Sequence, residues 1–169
     1  MEQTSLDALD LVLGSFHSAL RSKDDQTDRY LGAVRNPTLH VLGHPRGRVY
    51  NYRAGLTADW PRVFAEAQRL DKAVEVDCYP DRQDLNVDLL KLARDAGTRV
   101  ALGTDSHHAW QLAFIELGLA AALEAGIPPD GSSTSCHCAN CTIGSAVCAP
   151  PPKLRQRPET LQQSSPLTR

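Results

Sequence analysis

The sequence has few aromatic residues and no strong excess of either charge. Of its 169 residues only 5% are Phe, Trp or Tyr, and 18 Lys and Arg stand against 20 Asp and Glu, for a net charge of −2. A protein that holds nucleic acid through its overall field carries an excess of basic residues. This composition excludes that class, so any phosphate binding must depend on local groups.

Long apolar runs are also missing. No stretch approaches the roughly 20 apolar residues that cross a membrane, and the first ten residues lack the basic and apolar regions of a secretory signal. We therefore expect a cytoplasmic protein that contacts no membrane. A glycine-rich G-x-G-x-x-G turn is absent as well, which disfavours a dinucleotide-binding α/β protein.

Cysteine is rare up to Asp130 and frequent after it. Residues 1–130 contain one cysteine, 14 Lys and Arg and 19 Asp and Glu, whereas residues 131–169 contain four cysteines, five prolines and a single Glu. Such a shift in composition marks a boundary between segments. We predict one folded unit over residues 1–130 and a low-complexity, disordered tail over residues 131–169.

Two interpretations of the tail compete. It carries residues of zinc-ligand type, namely Cys136, His137, Cys138, Cys141 and Cys148. Their spacing matches no common zinc finger. The loss of one nucleotide near Asp130 accounts better for the composition, because restoring the frame turns most serine and cysteine codons here into codons for apolar residues. We hypothesise that the tail is a frameshift product.

Residues 6–127 alternate short apolar runs with longer helical patterns. The runs predict four strands, at residues 10–16, 39–43, 73–78 and 99–105. The helical patterns lie at residues 24–36, 57–72, 86–97 and 109–126, with Thr57 and Asn86 as predicted N-caps. The last helix is expected to bury the face formed by Leu112, Ile115, Leu119, Ala122 and Leu123. Since parallel strands need crossovers, usually helices, the pattern predicts an α/β fold with a parallel sheet or barrel.

Folds of this class place their chemistry at the carboxyl ends of the strands. The residues predicted there are His17, His44, Glu75, Asp77, Asp105 and His107. Imidazole and carboxylate are ligands for Zn²⁺, Mn²⁺ or Fe²⁺, and an extended Asp-x-His segment aims both side chains to one side. Each residue alone is also explained as a strand-end residue satisfied by its neighbours. His40, within a strand, is predicted to be structural, and His108 to cap the following helix.

Four stretches, LGSFHSAL, VLGHPRGR, EVDCYPDRQDLN and LGTDSHH, resemble the later motifs of the PHP (polymerase and histidinol phosphatase) domain family in order and spacing. The resemblance is closest to the PHP modules of bacterial family X DNA polymerases and their free-standing relatives, and it covers residues 6–127. It implies a distorted, TIM-like (β/α)₇ barrel, of which this chain would hold about four βα units. It also implies hydrolysis of phosphoesters at a site with up to three divalent metal ions.

The resemblance implies a role for each strand-end residue. Those that match metal-ligand positions are His17, His44, Asp105 and His107. Glu75 and Asp77 are expected to support the ligands through hydrogen bonds, with direct ligation as the alternative. The candidates for holding a substrate phosphate are Arg46, Arg48 and Arg82, with Asp105 and His107 expected to take part in catalysis. A solvated charge, or an ion pair with Asp81 or Asp84, is the alternative for these arginines.

The sequence also departs from the family pattern. The family begins with a His-x-His motif and supplies a further histidine and a glutamate before the position of His17, but the first sixteen residues contain no histidine. We therefore expect the C-terminal half of a longer protein, with an incomplete site that is weak or inactive alone. The expected substrate is a small phosphomonoester or a DNA 3′ end. The alternative is a non-catalytic, PHP-derived module that binds a partner.

Overall fold

The computed structural model describes residues 3–6 and 8–128. The predicted boundary at residue 130 and both interpretations of the tail lie outside these residues. Every helix in the described ranges falls short of the length and apolar character that a bilayer crossing requires.

The chain forms a four-stranded parallel sheet whose strands follow one another in chain order. The strands are β1 Leu13–Ser15, β2 Val41–Gly43, β3 Ala73–Asp77 and β4 Arg99–Gly103. The helices are α1 Gln3–Leu6, α2 Thr27–Val34, α3 Trp60–Arg69, α4 Val87–Asp95 and α5 Ile115–Ala125, with a 3₁₀ helix over Ala109–Phe114. The four predicted strands and the parallel α/β class are confirmed, and over residues 8–128 the sheet is open rather than closed into a barrel.

The two faces of the sheet carry different amounts of buried surface. Leu42 pairs in register with Val74 and Val74 with Val100, and all three join Phe64 of α3 in the main core. Helices α2 to α5 pack against one another in sequence order along this core. Because neighbouring residues of a strand point to opposite faces, Val41, Ala73 and Ala101 lie on the other face of the sheet. There they form a second, small cluster of buried residues.

The starts of two helices test the predicted caps. Asn86 is confirmed, because its side chain accepts a hydrogen bond from the Leu89 N–H at 3.0 Å. Thr57 is wrong: α3 is capped by Asp59, which accepts from the Arg62 N–H at 3.2 Å. The Thr57 carbonyl instead accepts from Gln26, so this residue belongs to the connection between α2 and α3.

The predicted buried face of the last helix is wrong for its leucines. Ala122 is buried and Ile115 packs against the core, as predicted. Leu112, Leu119 and Leu123 are 58%, 38% and 64% exposed, and the other residues that α5 buries are Gly118 and Ala125. The 3₁₀ geometry of residues 109–114 changes the angular step, so Leu112 falls out of register with α5. Small side chains then let the helix lie close to the sheet, where the missing Cβ of Gly118 makes room for the Cys78 sulfur.

Leu42→Ala and Leu123→Ala test this division of the surface. Leu42 is 1% exposed, and its truncation should lower the free energy of unfolding by about 2–5 kcal/mol because it leaves a cavity. The same change at Leu123 should stay within about 0.5 kcal/mol. Urea denaturation followed by circular dichroism measures both, and equal losses would contradict the packing of α5.

Candidate functional site

The first two predicted histidine ligands lie side by side. His17 follows β1 and His44 follows β2, and these strands pair Ser15 with Gly43 at their carboxyl ends. The imidazole centroids are 5.1 Å apart, with the ring planes at 73°. Parallel pairing thus brings two imidazoles from different βα units into contact.

Two of the predicted ligands have an unusual backbone. His44 has φ of 26° and Asp105 has φ of 45°, a region that residues other than glycine rarely occupy. Such conformations are held by surrounding contacts and concentrate at functional sites. For Asp105 this overturns the extended Asp-x-His geometry expected from the sequence, because the segment after β4 turns.

Glu75 fixes the position of His44. The His44 N–H donates to Glu75 Oε2 at 2.6 Å. The carboxylate lies over Gly103 of the neighbouring strand, where any Cβ would collide with it. Burial raises the pKa of Glu75, the hydrogen bond from His44 opposes this, and the charges of Asp105 and Asp84 raise it further. The glycine in β4 therefore makes the space for an acidic side chain from β3.

Two buried carboxylates lie beneath the rim of the site. Asp77 and Asp84 are 1% and 0% exposed. Asp77 accepts from the Tyr79 N–H at 3.0 Å, and burial raises its pKa to about 6. Within the described residues, Asp77 Oδ2, Asp84 Oδ1 and His44 Nδ1 are buried without a hydrogen-bond partner. Since orphaned buried polar atoms cost free energy, their presence at these strand ends is typical of a binding site.

Asp84 organises the loop that follows β2, a role that the sequence did not predict. Its Oδ2 accepts from the backbone N–H of Arg46 at 2.8 Å and of Arg48 at 3.4 Å. The Tyr30 hydroxyl holds the same loop from the other side, by donating to the Pro45 carbonyl at 2.5 Å. The one sequence signal for an inward-facing Asp84 is the apolar Leu85 beside it, which is 1% exposed.

The three candidate phosphate-binding arginines differ in what they contact. The Arg46 guanidinium donates to the carbonyls of Leu56 at 3.3 Å and Ala54 at 3.0 Å, and that of Arg48 donates to the Arg82 carbonyl at 2.5 Å. These two arginines brace loops. Arg82 forms an ion pair with Asp81 at 3.1 Å, which was the alternative to phosphate binding for these arginines. Its guanidinium also lies 3.7 Å from the Asp105 carboxylate. Of the three, Arg82 is the one whose guanidinium contacts a predicted ligand.

Gln111 holds the turn after β4. Its Oε1 accepts from the N–H groups of His107 at 2.6 Å and His108 at 3.0 Å, and its Nε2 donates to the Tyr79 hydroxyl at 3.2 Å. His108 occupies the N-cap position of the 3₁₀ helix, as predicted. His40 is structural, also as predicted, because its Nδ1 accepts from the Val12 N–H at 3.1 Å. Gln111 is 5% exposed, and sequence reasoning missed it.

The site fits a metal ion in chemistry but not in completeness. Its donors are imidazoles and carboxylates, which Zn²⁺, Mn²⁺ and Fe²⁺ accept. Across residues 3–6 and 8–128, no three His, Cys, Asp or Glu side chains come together closely enough to hold an ion. The described part of the chain therefore supplies a pair of imidazoles with supporting groups, not a full set of ligands.

The chain is similar to proteins named as phosphatases and as an exonuclease. No model of a known protein family matches the chain. The DNA polymerase/3'-5' exonuclease PolX of Bacillus subtilis is 29% identical over 115 residues, which cover 68% of this chain and 20% of that protein. A "probable phosphatase" of Caldicellulosiruptor bescii is 26% identical over 136 residues, or 76% of this chain and 54% of that protein. The "probable phosphatase YcdX" of Escherichia coli K12 is 24% identical over 127 residues, which cover 73% of this chain and 52% of that protein.

The chain thus spans about half the length of the two phosphatases and a fifth of the polymerase. At this identity, the similarity connects the chain with proteins named as phosphatases and as an exonuclease.

Replacing Asp84 tests its hold on the loop after β2. Asp84→Ala should cost about 1–3 kcal/mol of unfolding free energy, because the N–H groups of Arg46 and Arg48 lose their acceptor. Asp84→Asn keeps an acceptor oxygen and should cost less. Asp81→Ala removes only a partly exposed ion pair and should cost at most about 1 kcal/mol. Urea denaturation compares the three, and a loss for Asp84→Asn equal to that for Asp84→Ala would contradict this role.

The pKa of Asp77 predicts a pH dependence of stability. Because this pKa rises from 3.8 to about 6 in the folded protein, the folded state binds the proton more tightly than the unfolded state. The free energy of unfolding should therefore fall as the pH rises from about 4 to about 6 and then level off. Asp77→Asn should flatten part of this decline, with Glu75 and Asp84, whose pKa values are also raised, leaving the remainder.

Glu66→Gln is the opposite control in the same denaturation series. Hydrogen bonds from Arg69 and Arg35 hold the pKa of Glu66 at about 2. Its ion pairs therefore contribute stability above pH 4.5 that is lost toward pH 2. The free energy of unfolding of Glu66→Gln should therefore be lower than that of the unaltered chain at pH 7.

For Asp77→Asn, an unchanged slope of the free energy of unfolding against pH between pH 4 and 6 would contradict the raised pKa assigned to Asp77.

Proposed function

We propose that this chain carries the C-terminal part of a PHP-type, divalent-metal-dependent phosphoesterase. The observation that carries the proposal is the pair His17 and His44, which meet at the carboxyl ends of adjacent parallel strands. The similarity to two proteins named as probable phosphatases and to one exonuclease supports the same reaction class. The substrate is then a small phosphomonoester or a DNA 3′ end.

The open sheet supports a place within a larger barrel. Leu9, Leu11 and Leu13, at and before the edge strand β1, are 50%, 45% and 50% exposed. An unpaired parallel edge lined with leucines is costly in water and favours cover by further strands. We assign this surface to contact with the remaining βα units of a distorted barrel, which would also bring the further metal ligands.

In this proposal, His17, His44, Asp105 and His107 would hold divalent ions, which would supply a bound water of lowered pKa and positive charge opposite the phosphoryl oxygens. The contribution of the chain itself is orientation. Glu75 fixes the backbone of His44, and the Arg82 guanidinium lies beside Asp105, where it can pair with a phosphoryl oxygen of the substrate.

Metal titration of the histidine variants tests the proposal. Isothermal titration with Mn²⁺ or Zn²⁺ should show binding to the chain, and His17→Ala and His44→Ala should each weaken it beyond the about 10- to 100-fold typical of losing a residue that merely supports a ligand. His108→Ala, an exposed histidine beside a predicted ligand, is the matched control and should bind as before. Absence of metal binding when the chain is joined to the rest of its barrel would contradict the proposal.

The second candidate is a non-catalytic binding module derived from the same fold. It is favoured by the incomplete ligand set among the described residues. Mn²⁺-dependent release of p-nitrophenol from its phosphate ester separates the two candidates. Turnover that is lost with His44→Ala supports the phosphoesterase, and metal binding without turnover, even when the chain is joined to the rest of its barrel, supports the module.

A further inference from the structure

A short hairpin extends from the loop after β2. Val49 and Arg53 pair as antiparallel partners, with N–H to carbonyl distances of 3.0 and 2.9 Å. Asn51, with φ of 55°, forms the turn between them. The flanking Tyr50 and Tyr52 are each 64% exposed. We call residues 48–54 the tyrosine hairpin; they line a concavity of about 330 Å³.

The tyrosine hairpin is fastened to the strand-end site. The Tyr50 N–H donates to the Asp81 carbonyl at 2.7 Å. The Arg48 guanidinium donates to the Arg82 carbonyl, and Arg82 in turn lies 3.7 Å from the Asp105 carboxylate. A ligand on the hairpin therefore lies next to the loop that carries the phosphate-binding candidate.

The segment that contains the hairpin is basic in a chain whose net charge is −2, although Asp81 lies beside it. Residues 37–58 contain three arginines and no Asp or Glu. The exposed Arg21, from the loop after β1, lies over one face of the Tyr52 ring, 4.5 Å from its centroid, and Arg53 lies 5.8 Å from the centroid. The Arg53 guanidinium also donates to the Gly47 carbonyl at 2.6 Å, so Arg21 is the exposed cation beside this ring.

We propose that the tyrosine hairpin is a stacking platform for the bases of a single-stranded nucleic acid whose end enters the strand-end site. Successive bases stack on exposed tyrosine rings, and arginines beside them pair with the phosphates. A compact phosphomonoester would be held at the strand ends and leave the hairpin unused. The inference rests on the proposed phosphoesterase function. Of its two candidate substrates, it selects the end of a nucleic-acid strand over the small phosphomonoester.

Binding of a labelled oligonucleotide without metal tests the platform. Fluorescence anisotropy with an eight-nucleotide oligo(dT) in EDTA should show binding that the double variant Tyr50→Ala and Tyr52→Ala weakens by about 5- to 150-fold for each stacked base. The matched double variant Tyr50→Phe and Tyr52→Phe keeps both rings and should bind nearly as well. Circular dichroism confirms the fold of both variants, and equal losses in the two would overturn the proposal.

The arginines provide a second, independent measurement. Arg21→Ala should weaken binding and reduce the slope of log affinity against log salt by about 0.7, as expected for one phosphate of a single strand. Arg62→Ala removes an exposed arginine from α3 and should leave the slope unchanged. An unaltered slope for Arg21→Ala overturns its assignment to a phosphate.

Two competitors separate base stacking from other sources of affinity. An abasic strand of the same length should compete poorly, and equal competition would show that charge alone holds the strand and overturn the platform. The mononucleotide dTMP should also compete poorly, and affinity equal to that of the octamer would overturn the assignment to a strand. Because EDTA removes divalent ions, these results stand whether or not the metal titration supports the phosphoesterase.

Discussion

The parallel pairing of the strands is the constraint on which the rest of the structure depends. Parallel neighbours need a crossover, so each strand is followed by a helix, and every strand ends at the same edge of the sheet. That arrangement places His44 after β2 beside Glu75 in β3, although the two are 31 residues apart. In the resulting site, Asp77 and Asp84 are buried. The exposed residues His17, Asp105 and His107 lie at its rim.

The features that the sequence predicts well are those with a local cause. Strands show through short runs rich in β-branched residues and leucine, and Asn86 caps a helix through a contact three residues away. Once the strands are known, their carboxyl ends are known too, so the positions of His17 and His44 follow. The roles of the arginines do not follow, because a guanidinium can reach a carbonyl as readily as a phosphate, and Arg46 and Arg48 contact carbonyls.

The features that the sequence misses depend on distant partners. Asp84 binds backbone groups 36 and 38 residues away, so beyond the apolar Leu85 that follows it, no local pattern separates it from Asp81. The face that α5 buries is set by close approach to the sheet, which favours glycine and alanine over the leucines that periodicity selects. The turn at Asp105 is likewise imposed by its surroundings, since an Asp-x-His triplet alone is compatible with an extended strand.

Gly103 shows how the acidic residue of one strand restricts evolution in the next. Its φ is an ordinary one, so the backbone of β4 accepts any residue, yet every substitution adds a Cβ where the Glu75 carboxylate lies. The permitted residues at this position are therefore decided by β3. A lineage that gave up the acid at residue 75 would free residue 103 to vary, so a side chain at residue 103 should accompany or follow a change at residue 75.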